Sequence, residues 1–334
     1  SQRQPACAAR HELDAEMRFQ RGDLPRHHRA SNAQLLRHGR KAAEFGHPNE
    51  EAHGIKSIHC CNSDNNYLFI VAYFAPMMPI KVRSSHQDTA SMTPTPTALF
   101  VPHGAPTFAL RPGAAGAAMT AAVSTLPLPR AIIIVSAHWD TAVPTVGFAE
   151  RPETIYDFWG FPDELYSLRY PATGCREAAN EVVAALTTAG LPVAADAEHG
   201  LDHGAWVPLR LMFPEADVPV IPLSLQSRGG PQQAYALGQA LAPLAAKGFL
   251  VIASGNVTHN LRDYQQAARN HGQTPAYVRQ FTDWLADRLA ANDIPALLDY
   301  RRQAPGAVQA HPSDEHLLPL YVALGAGGKA AKAE

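Results

Sequence analysis

The chain has 334 residues, 46% of them hydrophobic, and a formal net charge of -2 at pH 7, the profile of a globular protein long enough for one large or two ordinary domains. That balance predicts no nucleic-acid partner, which would need a basic surface. The longest apolar run, "YLFIVAYFAPMM" at 67–78, falls short of the roughly 18 to 20 residues that span a bilayer, so no membrane association is expected. It also lies too far from the first residue for an ordinary secretory signal. The cysteines Cys7, Cys60, Cys61 and Cys175 show neither zinc-ribbon nor redox spacing, which predicts a reducing, cytoplasmic setting.

Residues 1–91 are rich in Arg, His, Asn, Gln and Ser, and outside the apolar run they follow neither strand nor helix periodicity. They are expected to form an unpatterned extension without a fold of its own, the alternative being a poorly patterned accessory domain. From Met92 apolar bursts alternate with amphipathic stretches, and 92–334 reads as one domain. "ALFVPHG" at 98–104 predicts a short strand running into a turn, and the consecutive branched aliphatics of "RAIIIVSAHW" at 130–139 predict a central strand buried on both faces. "TIYDFWGFPDELYSLRYP" at 154–171 predicts an ordered loop, either the wall of a pocket for a planar ligand or plain core packing. A helix is expected over 175–190 and a Gly-bounded loop at "GLDHGAWVPL", 200–209. Strands follow at 218–225 and 248–256, with a helix between them at 231–248 and another at 274–293. The alternation predicts a single three-layer α/β domain, a mostly parallel or mixed sheet with helices on both faces.

Half of the 16 histidines precede Met92; the others are His103, His138, His199, His203, His259, His271, His311 and His316. "FVPHG", "IIIVSAHW", "VIASGNVTHN" and "HPSDEHLLP" put histidines just past apolar strands or in Gly/Pro turns, and the carboxyl ends of parallel strands line the crevice where ligands bind. Each one alone reads most simply as a satisfied structural residue. Several in one crevice are costly unless something uses their nitrogens, and a divalent metal is the economical partner. No HExxH motif is present, so any metal site must be assembled by the fold. His203, with Asp202 beside it, is either a general acid or base tuned by that carboxylate or a loop histidine bonded to backbone.

Six stretches together carry a resemblance: "HGAP" at 103–106, "VSAHW" at 135–139, "TIYDFWGFPDELY" at 154–166, "GLDHGAWVPLRLMFPEADVPVIPLSL" at 200–225, "ASGNVTHNL" at 253–261 and "HPSDEHLLPLYVALGA" at 311–326. In this order the chain from Met92 to about Gly328 resembles the DODA-type extradiol aromatic ring-opening dioxygenases of the LigB-like superfamily. The resemblance implies that His103, His138 and His316 hold a metal, ferrous iron for activity with zinc able to occupy the site. His259 is implied either as a further ligand or as an acid/base group, and His203 as a proton-transfer residue. The implied reaction inserts both atoms of O2 into a catechol such as DOPA or caffeate to give a muconic semialdehyde. Tyr156, Trp159 and Arg169 stand in the aromatic loop as candidate contacts for a ring or carboxylate.

Two departures accompany the resemblance. Ala105 stands where relatives often carry Ser, and the chain ends at "GAGGKAAKAE" where relatives continue to a further strand, so the domain is expected to be truncated. Two other functions compete with the dioxygenase. A zinc-dependent hydrolase would draw its carboxylate from Asp202, Asp314 or Glu315, and a non-catalytic Memo-like binding protein would have no use for the complete histidine set.

Overall fold

The computed structural model describes residues 72–75, 98–124, 126–269, 274–328 and 332–333. Eight strands form one sheet: β1 (Ala72–Ala75), β2 (Ala98–Pro102), β3 (Ala131–Asp140), β4 (Thr145–Gly147), β5 (Ala194–Asp196), β6 (Val220–Leu225), β7 (Phe249–Gly255) and β8 (Lys332–Ala333). Their order is β5, β4, β6, β3, β7, β2, β1, β8. The central four, β6, β3, β7 and β2, are parallel. β4 joins β6 antiparallel and carries β5 parallel to itself. At the other edge β1 and β8 add antiparallel. β1 comes from the apolar run upstream of Met92, so the sheet takes in part of the segment that sequence patterning left without structure. Cys7, Cys60, Cys61, His271 and the histidines before Met92 lie outside the described residues.

The longer helices are α1 (Gly113–Ser124), α2 (Arg176–Thr188), α3 (His203–Met212), α4 (Gly230–Leu241), α5 (Leu261–Arg269), α6 (Ala276–Ala290) and α7 (Leu318–Ala326). The strands expected at 98–104, 130–139, 218–225 and 248–256 and the helices expected at 175–190, 231–248 and 274–293 are all present. Ile132, Ile133 and Ile134 are each at most 1% exposed, which explains the uninterrupted aliphatic run: with helices on both faces neither side of β3 meets water. Burial of each such side chain contributes roughly 1.5 to 3 kcal/mol.

Strand alternation then sorts chemistry by face. Ala131, Ile133 and Val135 of β3 join Phe100 of β2 and Val251 and Ala253 of β7 in one core with α2, α4, α6 and α7. The intervening residues, Ser136 and His138 after β3's isoleucines and Ser254 in β7, fall on the opposite face, where α3 packs against β3 and α1. The polar residues therefore gather on one side near the carboxyl ends of the parallel strands.

Two local expectations are corrected, and two short strands were not foreseen. Residues 203–212 form a helix rather than a loop, because Asp202 caps its start by accepting from the Ala205 N–H; Gly204 and Pro208 inside the helix hid it from sequence patterning. A short helix, Asp163–Ser167, interrupts the expected aromatic loop. The strands β4 and β5, of three residues each, are too short to leave a periodic signal.

Candidate active site

His103 follows β2, and the turn after it depends on Gly104 at φ 59°, a left-handed conformation that glycine adopts without strain. β3 runs past its neighbours: its pairing with β6 shifts register between Val135 and Asp140, and His138 lies on that irregular end. His203 is the first residue of α3. His259 follows β7, its backbone N–H donating to the Ala310 carbonyl at 2.8 Å. His316 precedes α7, and its carbonyl accepts from the Asn256 N–H at 2.8 Å.

The fold brings all five rings together. Centroid separations are 4.8 Å for His103 and His138, 4.1 Å for His138 and His203, 4.9 Å for His138 and His316, and 5.3 Å for His103 and His316. His259 stacks on His316 at 3.4 Å. Within this cluster His103, His138 and His203 offer ligand atoms within 4.8 Å of one another, and so do His259, Glu315 and His316. The Nε2 atoms of His103 and His138 are 3.1 Å apart, while their Nδ1 atoms face outward. His103 Nδ1 lies 3.0 Å from Ser254 Oγ, His316 Nδ1 lies 3.1 Å from Glu315 Oε1, and His138 Nδ1 lies 3.8 Å from Asp157 Oδ2. Outer partners on one ring nitrogen that leave the other for a metal are the usual support of histidine ligands.

Electrostatics keep the rings of His103, His138, His259 and His316 neutral. Burial first and the surrounding imidazoles second hold His103 and His316 well below the usual histidine range. Desolvation and then His203 lower His138 to about 3, with Asp157 opposing; because this residue keeps an exposed edge, water moderates the effect there. Burial lowers His259 to about 4 against the pull of Glu315. Neutral imidazoles carry the lone pairs a divalent metal requires, so the donor set fits one.

The carboxylate against His203 is not Asp202. Asp202 Oδ1 accepts from Ser136 Oγ at 2.6 Å as well as capping α3; burial and then the Asp157 charge push this carboxyl up to about 6. The ring and backbone of His203 instead meet Asp157. Burial alone would raise Asp157, but His203 outweighs it and the carboxyl lies well below its usual range. Gly204 allows this close packing: a Cβ there would stand 2.4 Å from Ser136 Oγ and 2.8 Å from His138 Cδ2. Asp157, Ser136 and Ser254 were not singled out in the sequence, where they are common residue types remote from their partners.

Other candidates lie apart from the five. His199 stacks on Trp139 at 3.7 Å. Arg169 lies over the Tyr156 ring and donates to the Tyr166 and Leu168 carbonyls, and Tyr156 donates its hydroxyl to Leu168 as well. Among the described residues, no helix is long and apolar enough to cross a membrane.

Comparison with known proteins identifies the family. Residues 116–334 match the family described as "Catalytic LigB subunit of aromatic ring-opening dioxygenase". A Beta vulgaris protein named "4,5-DOPA dioxygenase extradiol" is 44% identical over 207 residues, which is 62% of this chain and 76% of that protein. An Escherichia coli protein of the same name is 37% identical over 235 residues, 69% of this chain and 84% of that protein. The crystal structure of an uncharacterized protein from Escherichia coli K12 superimposes with a TM-score of 0.55 at 32% identity, covering 69% of this chain and 88% of that one.

Proposed function

Because this chain belongs to the LigB family of aromatic ring-opening dioxygenases, we propose that it opens the ring of a side-chain-bearing catechol with O2, using a ferrous ion held by His103, His138 and His316. The observation that carries this reading is the clustering of three imidazoles, His103 and His138 with Nε2 atoms 3.1 Å apart and His316 beside both, each with an outer partner near Nδ1: Ser254, Asp157 and Glu315. Iron bound there would supply the redox exchange that lets dioxygen react with a catechol. The relatives' names make DOPA the first substrate to try, and caffeate is a second catechol with a side chain.

The protein's own groups account for the rest. A catechol must lose protons to bind as an anion, and His203 is the base within the cluster, its conjugate acid stabilised by Asp157. His259, parallel to His316, serves either as a further ligand or as a second proton carrier. The buried rings of His103, His203 and His316 form the dry side of the site, and His138 lies at its water-facing edge. A zinc hydrolase commonly uses a carboxylate as ligand or base, and Glu315 is the candidate by position; its Oε1 is already engaged by His316 Nδ1 and Ser313 Oγ, which favours the dioxygenase.

The test is to strip the protein of metal, reload it without air using Fe(II) or Zn(II), add DOPA or caffeate in air, and follow oxygen uptake with yellow absorbance. Iron-dependent uptake matched by yellow product is expected; zinc-loaded protein should bind catechol without opening it, because zinc has no redox chemistry. Retained iron with no uptake across a panel of catechols would sink the proposal.

A further inference from the structure

Asp157 makes two distinct contacts to one residue. Its Oδ1 accepts the His203 backbone N–H at 2.8 Å, and its Oδ2 lies 2.8 Å from His203 Nδ1. The same Oδ2 is 3.8 Å from His138 Nδ1. We propose that Asp157 is a positioning residue that fixes the tautomer and orientation of His203 for proton transfer while lying within ion-pair reach of His138. The role in proton transfer rests on the function proposed above; the tautomer does not.

The placement of Asp157 is built into the backbone. The segment before it is tied to the residues before α3 by an isolated parallel bridge between Thr154 and Leu201. Ile155 N–H donates to the Leu201 carbonyl and Leu201 N–H to the Glu153 carbonyl, each at 2.7 Å. Trp206 of α3 donates its indole N–H to the Ile155 carbonyl at 3.1 Å. Asp157 is thus held at the first turn of α3 by three hydrogen bonds besides its own contacts, which is more than a chance surface ion pair provides.

The chemistry follows from what each atom can do. An ionised carboxylate only accepts, so with Oδ2 at Nδ1 the hydrogen must sit on Nδ1 and the lone pair on Nε2. A proton taken up at Nε2 produces an imidazolium whose charge Asp157 offsets through an unchanged contact, so no regrouping accompanies the transfer. Asparagine has nearly the same shape but one acceptor and one donor. With its oxygen on the backbone N–H it turns an NH2 group toward Nδ1 and the Nδ1–H tautomer loses its support; turned the other way it keeps that tautomer but sets NH2 against the backbone N–H.

The test uses metal-free, histidine-15N-labelled full-length protein, with His203 resonances assigned by their loss in His203→Gln. Long-range 15N–1H spectra are expected to show His203 protonated on Nδ1 in the wild type and that population reduced in Asp157→Asn. In the iron-loaded enzyme Asp157→Asn should lower kcat by roughly 10 to 100-fold with KM little changed. A wild-type His203 protonated on Nε2, or an Asp157→Asn protein with unchanged tautomer and kcat, would overturn the proposal. Should the variant fail to fold, the wild-type spectrum still decides. Should no catechol be turned over, the proposed function fails in the activity arm while the spectra still test the tautomer.

Discussion

His311 and His316 begin and end the same six-residue stretch "HPSDEH", and both are buried and neutral, yet their surroundings differ completely. His311 has its Nε2 2.7 Å from the Val257 carbonyl, so it donates there, and it lies among the rings of Phe281 and Tyr300. Its Nδ1 is buried with no hydrogen-bond partner. His316 has Glu315 on its Nδ1, and His103, His138 and His259 around its ring. Burial and neutrality therefore do not distinguish a structural histidine from a site histidine. What distinguishes them is the company of other imidazoles and the side of the ring on which the outer partner sits.

Breaking the comparison at each end gives opposite losses. His316→Ala should remove a metal ligand and reduce iron content and turnover by well over the roughly 10 to 100-fold typical of outer-partner changes, while the protein still folds. His311→Ala should do the reverse, lowering stability by about 2 to 4 kcal/mol through lost packing and a lost buried hydrogen bond and leaving iron per folded protein near the wild-type value. Metal analysis beside chemical denaturation separates the two. A His311→Ala protein that folds well but loses its iron would erase the distinction.

A smaller effect sharpens it. Glu315→Gln leaves the His316 ligand in place but replaces an acceptor-only group on Nδ1 with an amide, so iron affinity is expected to fall within the roughly 10 to 100-fold range of outer-partner changes. Competition with a chelator of known affinity measures this. Equal affinity would show that Glu315 does not orient the ring.

A further effect is a dependence on pH that His311 shares with His259. His259 and His311 are each lowered to about 4, below the roughly 6.5 of an unfolded chain. Above about 6.5 both states are neutral and these residues contribute no pH dependence; between about 6.5 and 4 the unfolded state binds more protons, so stability falls as pH falls through that window. Denaturation of metal-free protein at pH 7.5, 6 and 5 should show the decline, and His311→Ala should make it shallower by about one proton. A stability that rises on acidification through this range would contradict the neutral-histidine picture.

These pairings also show what sequence made legible. His103, His138, His259 and His316 stand at strand ends or in turns inside stretches with strong punctuation, and strand periodicity located β2, β3, β6 and β7. The partners that hold the rings were not legible, since Ser254 and His103 become neighbours only through sheet order and Asp157 and His203 only through an isolated bridge, which no local pattern encodes. Asp202 misled because adjacency in sequence suggested a contact that α3 turns toward its own backbone and Ser136. β1 escaped because an isolated apolar run carries no sign of the strand it will pair with.

The wide spacing of the site in sequence has a kinetic consequence. His103 and Ser254 are 151 residues apart, and Asp157 and His203 are 46 apart, so the constellation cannot close until the parallel core of the sheet has formed. Loops of that length close late and slow the search for the native topology. A ligand that recognises only the finished constellation is absent from the rate-limiting collapse, and its binding energy falls on the unfolding barrier. Metal should then lengthen the lifetime of the folded protein while leaving its rate of refolding almost unchanged.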